Sequence, residues 1–173
     1  MKNSIIVEGF DNMGKSTLIK ELANRLNMPI YTAGPPPKDL KEMVVRFQEQ
    51  LDCCKEGYLL DRVTAISEPC YNKDTPYHNV FYGVREMMAK DCIIIYCSTT
   101  WDDSSHVVKD HDTDEHLRFI EENREAICGR YEDMMKECSS LFTMLPFNWR
   151  KHSVDTVISY VLRLVEQRAS DQS

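Results

Sequence analysis

Residues Gly9-Phe10-Asp11-Asn12-Met13-Gly14-Lys15-Ser16-Thr17 satisfy the spacing G-x-x-x-x-G-K-[ST], and they lie between an apolar run, Ser4-Ile5-Ile6-Val7, and a helical pattern. That placement is what a phosphate-binding loop requires, and a mere glycine turn with a surface lysine would not need it. Two glycines let the backbone curl so that successive N–H groups point inward, and the following helix adds its positive end. In such a loop the lysine reaches the β and γ phosphates and the hydroxyl after it ligates Mg²⁺. Gly9, Asn12, Met13, Gly14, Lys15, Ser16 and Thr17 are therefore the candidate donor-binding residues.

A chain of 173 residues is the size of one domain and buries roughly two thirds of its unfolded surface in one core. A single domain over 1–173 is expected. The formal charge of −7 argues against a broad nucleic-acid surface, which needs clustered Lys and Arg, but it leaves room for a local basic groove. Seven cysteines form no C-x-x-C pair and are odd in number, as expected of reduced thiols in a cytosolic protein. Met1 to Ser4 lead straight into the first strand with no signal-peptide pattern, and no run approaches the roughly eighteen apolar residues of a membrane span. A soluble, cytoplasmic chain without a membrane partner is the expectation.

Helical spacing of Leu18, Ile19, Leu22, Ala23 and Leu26 predicts a helix after the loop, stopped by Pro29. Met28 to Ala33 reads as a second strand, ending at the stiff turn Gly34-Pro35-Pro36-Pro37. Asp39 and Glu42 make a capping box for a helix with Leu40, Met43, Val44, Phe47, Leu51 and Cys54 on one side and Gly57 at its end. Tyr58 to Asp61 is a buried third strand with an acid and Arg62 at its carboxyl end, where open α/β sheets place their chemistry.

From Val63 to Thr75 the pattern is mixed: a helical turn at Ala65 to Ser67, then loops signalled by Glu68-Pro69 and Asn72 to Thr75. Thr75-Pro76 opens a helix through Val80, Phe81, Val84, Met87 and Met88, and Cys92 to Cys97 is a strand apolar on both alternations. Ser98 to His111 turns polar and acidic, a lid-like segment around 98–112. Asp112 and Glu115 cap a long helix with Leu117, Ile120, Ile127, Tyr131, Met134, Met135 and Cys138 inward. Leu141 to Leu145 is a last strand, Pro146 to His152 a loop, and Ser153 caps a terminal helix that frays from Ala169. Strands alternating with helices predict an α/β fold: a parallel sheet of about five strands with helices on both faces, in three layers.

Val7-Glu8-Gly9-Phe10-Asp11-Asn12-Met13-Gly14-Lys15-Ser16-Thr17 resembles the first motif of the thymidylate kinase group, E-G-x-D-x-x-G-K-S-T, and Asp61-Arg62 resembles that group's D-R after the third strand. The run Asp61 to Tyr71 is also similar to small phage-encoded kinases of the group. The resemblance implies a P-loop NTPase fold and phosphoryl transfer from ATP with Mg²⁺ to a deoxynucleoside monophosphate, thymidylate or a modified pyrimidine, giving the diphosphate. It implies Lys15 on the donor phosphates, Ser16 and Asp61 at the metal, Arg62 clamping the acceptor or the transferred group, and Asp11 near the acceptor's sugar. Glu8 orients the loop, acts as a base or pairs with a lysine.

For the acceptor, the group uses an aromatic platform and arginines from the region where this chain has Tyr71, Tyr82 and Arg85; each reads equally as core, rim or ligand. Its arginine after the second strand is replaced here by Ala33-Gly34-Pro35-Pro36-Pro37, which leaves the acceptor's base and phosphate open. Its lid arginines are missing too: the segment offers Lys109, with Arg118 and Arg124 further along, of which Arg118 is the candidate to cover the phosphates. His106, His111 and His116, five residues apart, read as solvated rather than as a metal site. Asn148 to Lys151 lie where the fold holds the donor adenine, and Trp149 stacks there or packs inward.

Two other functions remain open on sequence. One is a kinase acting on the hydroxyl of a hydroxymethyl pyrimidine in phage DNA, which would make nucleic acid the partner and give Glu8, Asp11 or Asp61 the role of base. The other is a nucleotide-binding regulatory module without turnover. Members of the group often form homodimers; if phage-encoded, the chain works in the host cytoplasm.

Overall fold

The computed structural model describes residues 3–11, 13–98 and 113–171. Five strands, β1 (Ser4–Glu8), β2 (Ile30–Thr32), β3 (Leu59–Asp61), β4 (Cys92–Cys97) and β5 (Thr143–Phe147), form one sheet in the order β2-β3-β1-β4-β5. Every pairing is parallel. Six helices accompany them: α1 (Lys15–Leu26), α2 (Leu40–Glu56), α3 (Thr64–Tyr71), α4 (His78–Ala89), α5 (Asp114–Cys138) and α6 (Val154–Ser170). α1 packs on α6, while α2, α3, α4 and α5 pack on one another. Among the described residues, no helix is long and apolar enough to cross a membrane.

The sheet explains itself from its side chains. Ile5, Ile6 and Val7 of β1, Leu59 and Leu60 of β3 and Ile93, Ile94 and Ile95 of β4 are buried on both alternations, as central parallel strands covered on two faces must be. Each such side chain contributes about 1.5–3 kcal/mol by leaving water. β1 is central and its neighbours β3 and β4 leave in opposite directions in sequence, so a crevice opens at its carboxyl end, where ligands of open α/β sheets sit. Gly9 lies there with φ +145°, and a Cβ on it would stand 2.3 Å from the Cys97 carbonyl oxygen.

Several boundaries differ from expectation. β5 runs through Pro146, a residue expected to open a loop; an edge strand tolerates the missing N–H. α4 begins at His78 rather than at Thr75-Pro76. α5 is capped by Thr113, whose hydroxyl accepts from the His116 N–H, and Asp112 lies outside the described residues. Asp39, Gly57 and Ser153 cap as expected.

The largest difference is α3, a continuous helix where loops were expected, with Pro69 inside it. Proline has no N–H to give the carbonyl four residues back, which leaves Ala65 O without its helical partner. Arg85 of α4 supplies the donor: its Nη1 lies 2.8 Å from Ala65 O, and Nη2 pairs with Glu137 Oε1 at 2.7 Å. Arg85 is therefore 4% exposed and spent on joining α3, α4 and α5, which corrects its expected place on the acceptor. Tyr82, 38% exposed, lies with its ring 5.7 Å from the Arg85 guanidinium carbon and faces solvent.

Arg85→Ala should cost about 3 kcal/mol of stability, because a carbonyl and a carboxylate lose their donor together. Pro69→Ala restores the N–H, so in urea unfolding the double variant should lose markedly less than the sum of the single losses. Additive losses would disprove this account of Arg85.

Candidate active site

At the end of β1 the sequence places an acid where no water reaches. Glu8 is fully buried; Oε1 accepts from the Val63 N–H at 2.7 Å and Oε2 from the Tyr131 hydroxyl of α5 at 3.2 Å. Burial pushes its carboxyl up to about 7 against the opposing pull of these hydrogen bonds and of Arg62 and Lys15. Both oxygens are thus engaged outside the phosphate-binding loop, tying β1 to the turn after β3 and to α5.

The loop then turns at Gly14, whose φ of +82° makes it a left-handed N-cap for α1. No side chain caps this helix and its first turn holds no acid, so its leading N–H groups are presented to whatever anion arrives. Lys15 Nζ donates to Phe10 O at 2.7 Å. Burial, with repulsion from Arg62, lowers its ammonium to about 8. Ser16 and Thr17 are exposed on the first turn. Trp149 packs on the loop, its Cδ1 3.2 Å from where a Gly14 Cβ would be, with the Arg150 guanidinium 4.8 Å from its ring centre. This donor set fits a nucleoside triphosphate with its metal: uncapped amides and an ammonium for phosphate, a hydroxyl and the Asp61 carboxylate for Mg²⁺, a half-exposed indole for a base. Asn12 and the lid segment 99–112, with Lys109, His106 and His111, lie outside the described residues.

β3 delivers Asp61 and Arg62 beside this loop. The Arg62 N–H bonds Val7 O at 3.0 Å and its backbone has φ +65°, a conformation costly for a residue with a side chain. That turn aims the guanidinium back across β1. Nη2 reaches Asp11 Oδ1 at 2.8 Å, Tyr71 Oη at 2.9 Å and Gly9 O at 3.1 Å, and the Tyr71 hydroxyl donates to Asp11 Oδ2 at 3.1 Å. Buried Nε has no hydrogen-bond partner among the described residues. Burial raises the Asp11 carboxyl, but Arg62 and Lys15 outweigh it and hold the group down to about 2. Asp11 is thus a fixed anion at neutral pH.

Beside this trio lies a cavity of about 850 Å³, large enough for a nucleotide. Asp11, Asp61, Arg62 and Tyr71 line it. Sequence reasoning missed Arg46 of α2, which donates through Nη1 to Pro35 O at 2.6 Å, and it missed Glu68 and Phe119. A signal existed: Thr64, Ser67, Glu68, Tyr71 and Asn72 fall at helical spacing, a polar stripe obscured by Pro69. Arg118 is exposed on α5 and absent from the cavity wall, because α5 turns Leu117 and Ile120 to that side. His116 lies on the wall near the helix start.

The fold is one that solved nucleotide kinases share. YorR protein from Bacillus subtilis, solved in complex with phosphorylated GDP, is similar over 97% of this chain and 98% of its own, with TM-score 0.74 and 18% identity. Deoxyadenosine kinase from M. mycoides with bound dATP is similar over 94% and 99%, with TM-score 0.64 and 19% identity. Thymidylate kinase from Candida albicans covers 97% of this chain and 92% of its own, with TM-score 0.59 and 12% identity. No family model and no curated protein matches the sequence.

Glu8→Gln keeps an acceptor for Val63 N–H and offers a donor to Tyr131, while removing a buried charge. The Glu8 carboxyl lies higher folded, about 7, than its ordinary 4.5, so the stability it contributes is full below 4.5 and is lost as pH rises through 7. Urea unfolding from pH 5 to 8 should therefore show wild type losing on the order of 2–3 kcal/mol relative to Glu8→Gln, then levelling. A pH-independent difference would contradict the assignment.

Proposed function

We propose that this chain is a nucleotide kinase that moves the γ-phosphoryl group of ATP, with Mg²⁺, onto a deoxynucleoside monophosphate. The observation that carries the reading is the Asp11–Arg62–Tyr71 group, which joins the phosphate-binding loop directly to the cavity wall. Donor and acceptor sites therefore meet at one cation. Lys15 and the uncapped N–H groups of α1 hold the donor phosphates, and Trp149 receives the adenine. Ser16 and Asp61 hold Mg²⁺, which when bound neutralises charge on the phosphates. An oxygen of the acceptor phosphate forms the new bond to phosphorus as the bond to the β-phosphate oxygen breaks, releasing ADP and the diphosphate product. That nucleophile is already anionic, so no general base is needed, and positioning and charge neutralisation carry the catalysis. Arg62 supplies the positive charge at the transferred group, with Asp11 and Tyr71 holding it toward the sugar. The chain's seven free cysteines suit a reducing cytoplasm.

Labelled ATP supplied with each deoxynucleotide, each deoxynucleoside and hydroxymethylated DNA should yield labelled nucleoside diphosphate; label in DNA alone, or in no acceptor at all, would sink the reading. Lys15→Ala should lower kcat at least about 100-fold. Because the Lys15 ammonium lies near 8, ATP binding should hold constant below that pH and weaken above it as the proton leaves, a slope that calorimetry should find abolished in Lys15→Arg. An unchanged slope would remove Lys15 from the donor site.

A further inference from the structure

The trio at Arg62 accounts for one end of the cavity and leaves the side chains along α3 unused. Thr64, Ser67, Glu68, Tyr71 and Asn72 all line it from one helix face. Most are already engaged: the Thr64 hydroxyl with Gln50 Nε2 at 3.3 Å, the Ser67 hydroxyl with Val63 O at 3.1 Å, and Tyr71 with Asp11. Glu68 is different. Its carboxylate makes no ion pair among the described residues, and its hydrogen bond is a long one, from Asn72 Nδ2 at 3.4 Å. Asn72 Oδ1 accepts from the Asp74 N–H at 3.2 Å, which fixes the amide with its nitrogen toward Glu68. The same cavity is lined by the proline turn at 35–37 and by Leu117, Phe119 and Ile120 of α5. Apolar surface together with an acceptor-only group away from the Arg62 trio suits a flat ring read along its edge.

We infer that Glu68 selects the acceptor's base, and that it selects an edge presenting two adjacent N–H donors, which among the common bases is the edge of guanine. This rests on the reading of the cavity as the acceptor site. An ionised carboxylate only accepts, and two parallel charge-assisted bonds are its strongest engagement. Guanine offers N1–H beside its N2 amino group. Thymine offers one N–H flanked by carbonyls, so the second carboxylate oxygen would face a lone pair. Cytosine and adenine place their amino group beside an unprotonated ring nitrogen, with the same repulsion. Arg46 of α2, which lines the same cavity, keeps guanidinium donors beyond the one used on Pro35 O, a match for the guanine carbonyl. Repulsion against the wrong edges gives discrimination as much as attraction to the right one.

The test compares deoxyguanylate, deoxyinosinate, thymidylate, deoxycytidylate and deoxyadenylate on wild type and Glu68→Gln, by calorimetric binding and by phosphoryl transfer from labelled ATP. Deoxyguanylate should bind wild type about 10-fold or more tighter than thymidylate, and about 10-fold tighter than deoxyinosinate, which lacks only the N2 amino group. In Glu68→Gln the gap between deoxyguanylate and deoxyinosinate should close, while thymidylate binding changes less than about 3-fold, which also reports that the variant is folded. Thymidylate binding as tightly as deoxyguanylate, or a gap that survives the substitution, overturns the inference. Binding that depends on Glu68 without phosphoryl transfer would keep the inference and refute the kinase; turnover best on thymidylate would do the reverse. Binding of none of the five overturns both.

Discussion

The rest of the site depends on how one residue leaves the sheet. Arg62 follows β3 in a left-handed backbone conformation, which its side chain disfavours and which the chain maintains by hydrogen bonds on both sides. Its own N–H bonds Val7 O, and the next N–H, that of Val63, bonds the buried Glu8 carboxylate. Both acceptors belong to β1, the strand that runs into the phosphate-binding loop. The turn that aims the guanidinium at Asp11 is thus fixed by the strand that leads into the loop holding Asp11, so the position of the cation relative to the loop is set by covalent and hydrogen-bonded geometry. Tyr131 extends the restraint to α5, since its hydroxyl donates to the other Glu8 oxygen.

Charge is arranged around this turn with little waste. Lys15, Arg62, Asp11 and Glu8 share a space too small and too dry for all four to keep their ordinary acidities. Asp11 is the winner, held ionised by two cations, while burial leaves Glu8 easily protonated and Lys15 easily deprotonated. Two negative donors and acceptors arriving here would relieve the repulsion between Lys15 and Arg62.

Packing away from the chemistry follows the same economy. Pro69 costs α3 a hydrogen bond, and Arg85 repays the carbonyl from another helix. The exchange converts a local defect into a tie among three helices, one of which lines the cavity. It also explains why an arginine between the third and fourth strands, a reasonable reading as an acceptor ligand, serves structure instead.

The chain's local patterns were sufficient for the loop, for β1 and β4, for the caps at Asp39, Gly57 and Ser153, and for the conjunction of Asp61-Arg62 with Lys15. Each of these depends on neighbours in sequence: a glycine spacing, an apolar run, a capping side chain. What the sequence could not convey was partnership at a distance. That Arg85 answers a proline on α3, that Glu8 holds Val63, and that Arg46 of α2 and Glu68 of α3 line one cavity are facts about elements meeting across 20 to 55 positions. By itself the sequence determined a parallel α/β sheet ending in a phosphate-binding loop, because backbone conformation and hydrophobic period are local properties. Only the tertiary structure decided which side chains line the cavity, because a cavity belongs to no single segment.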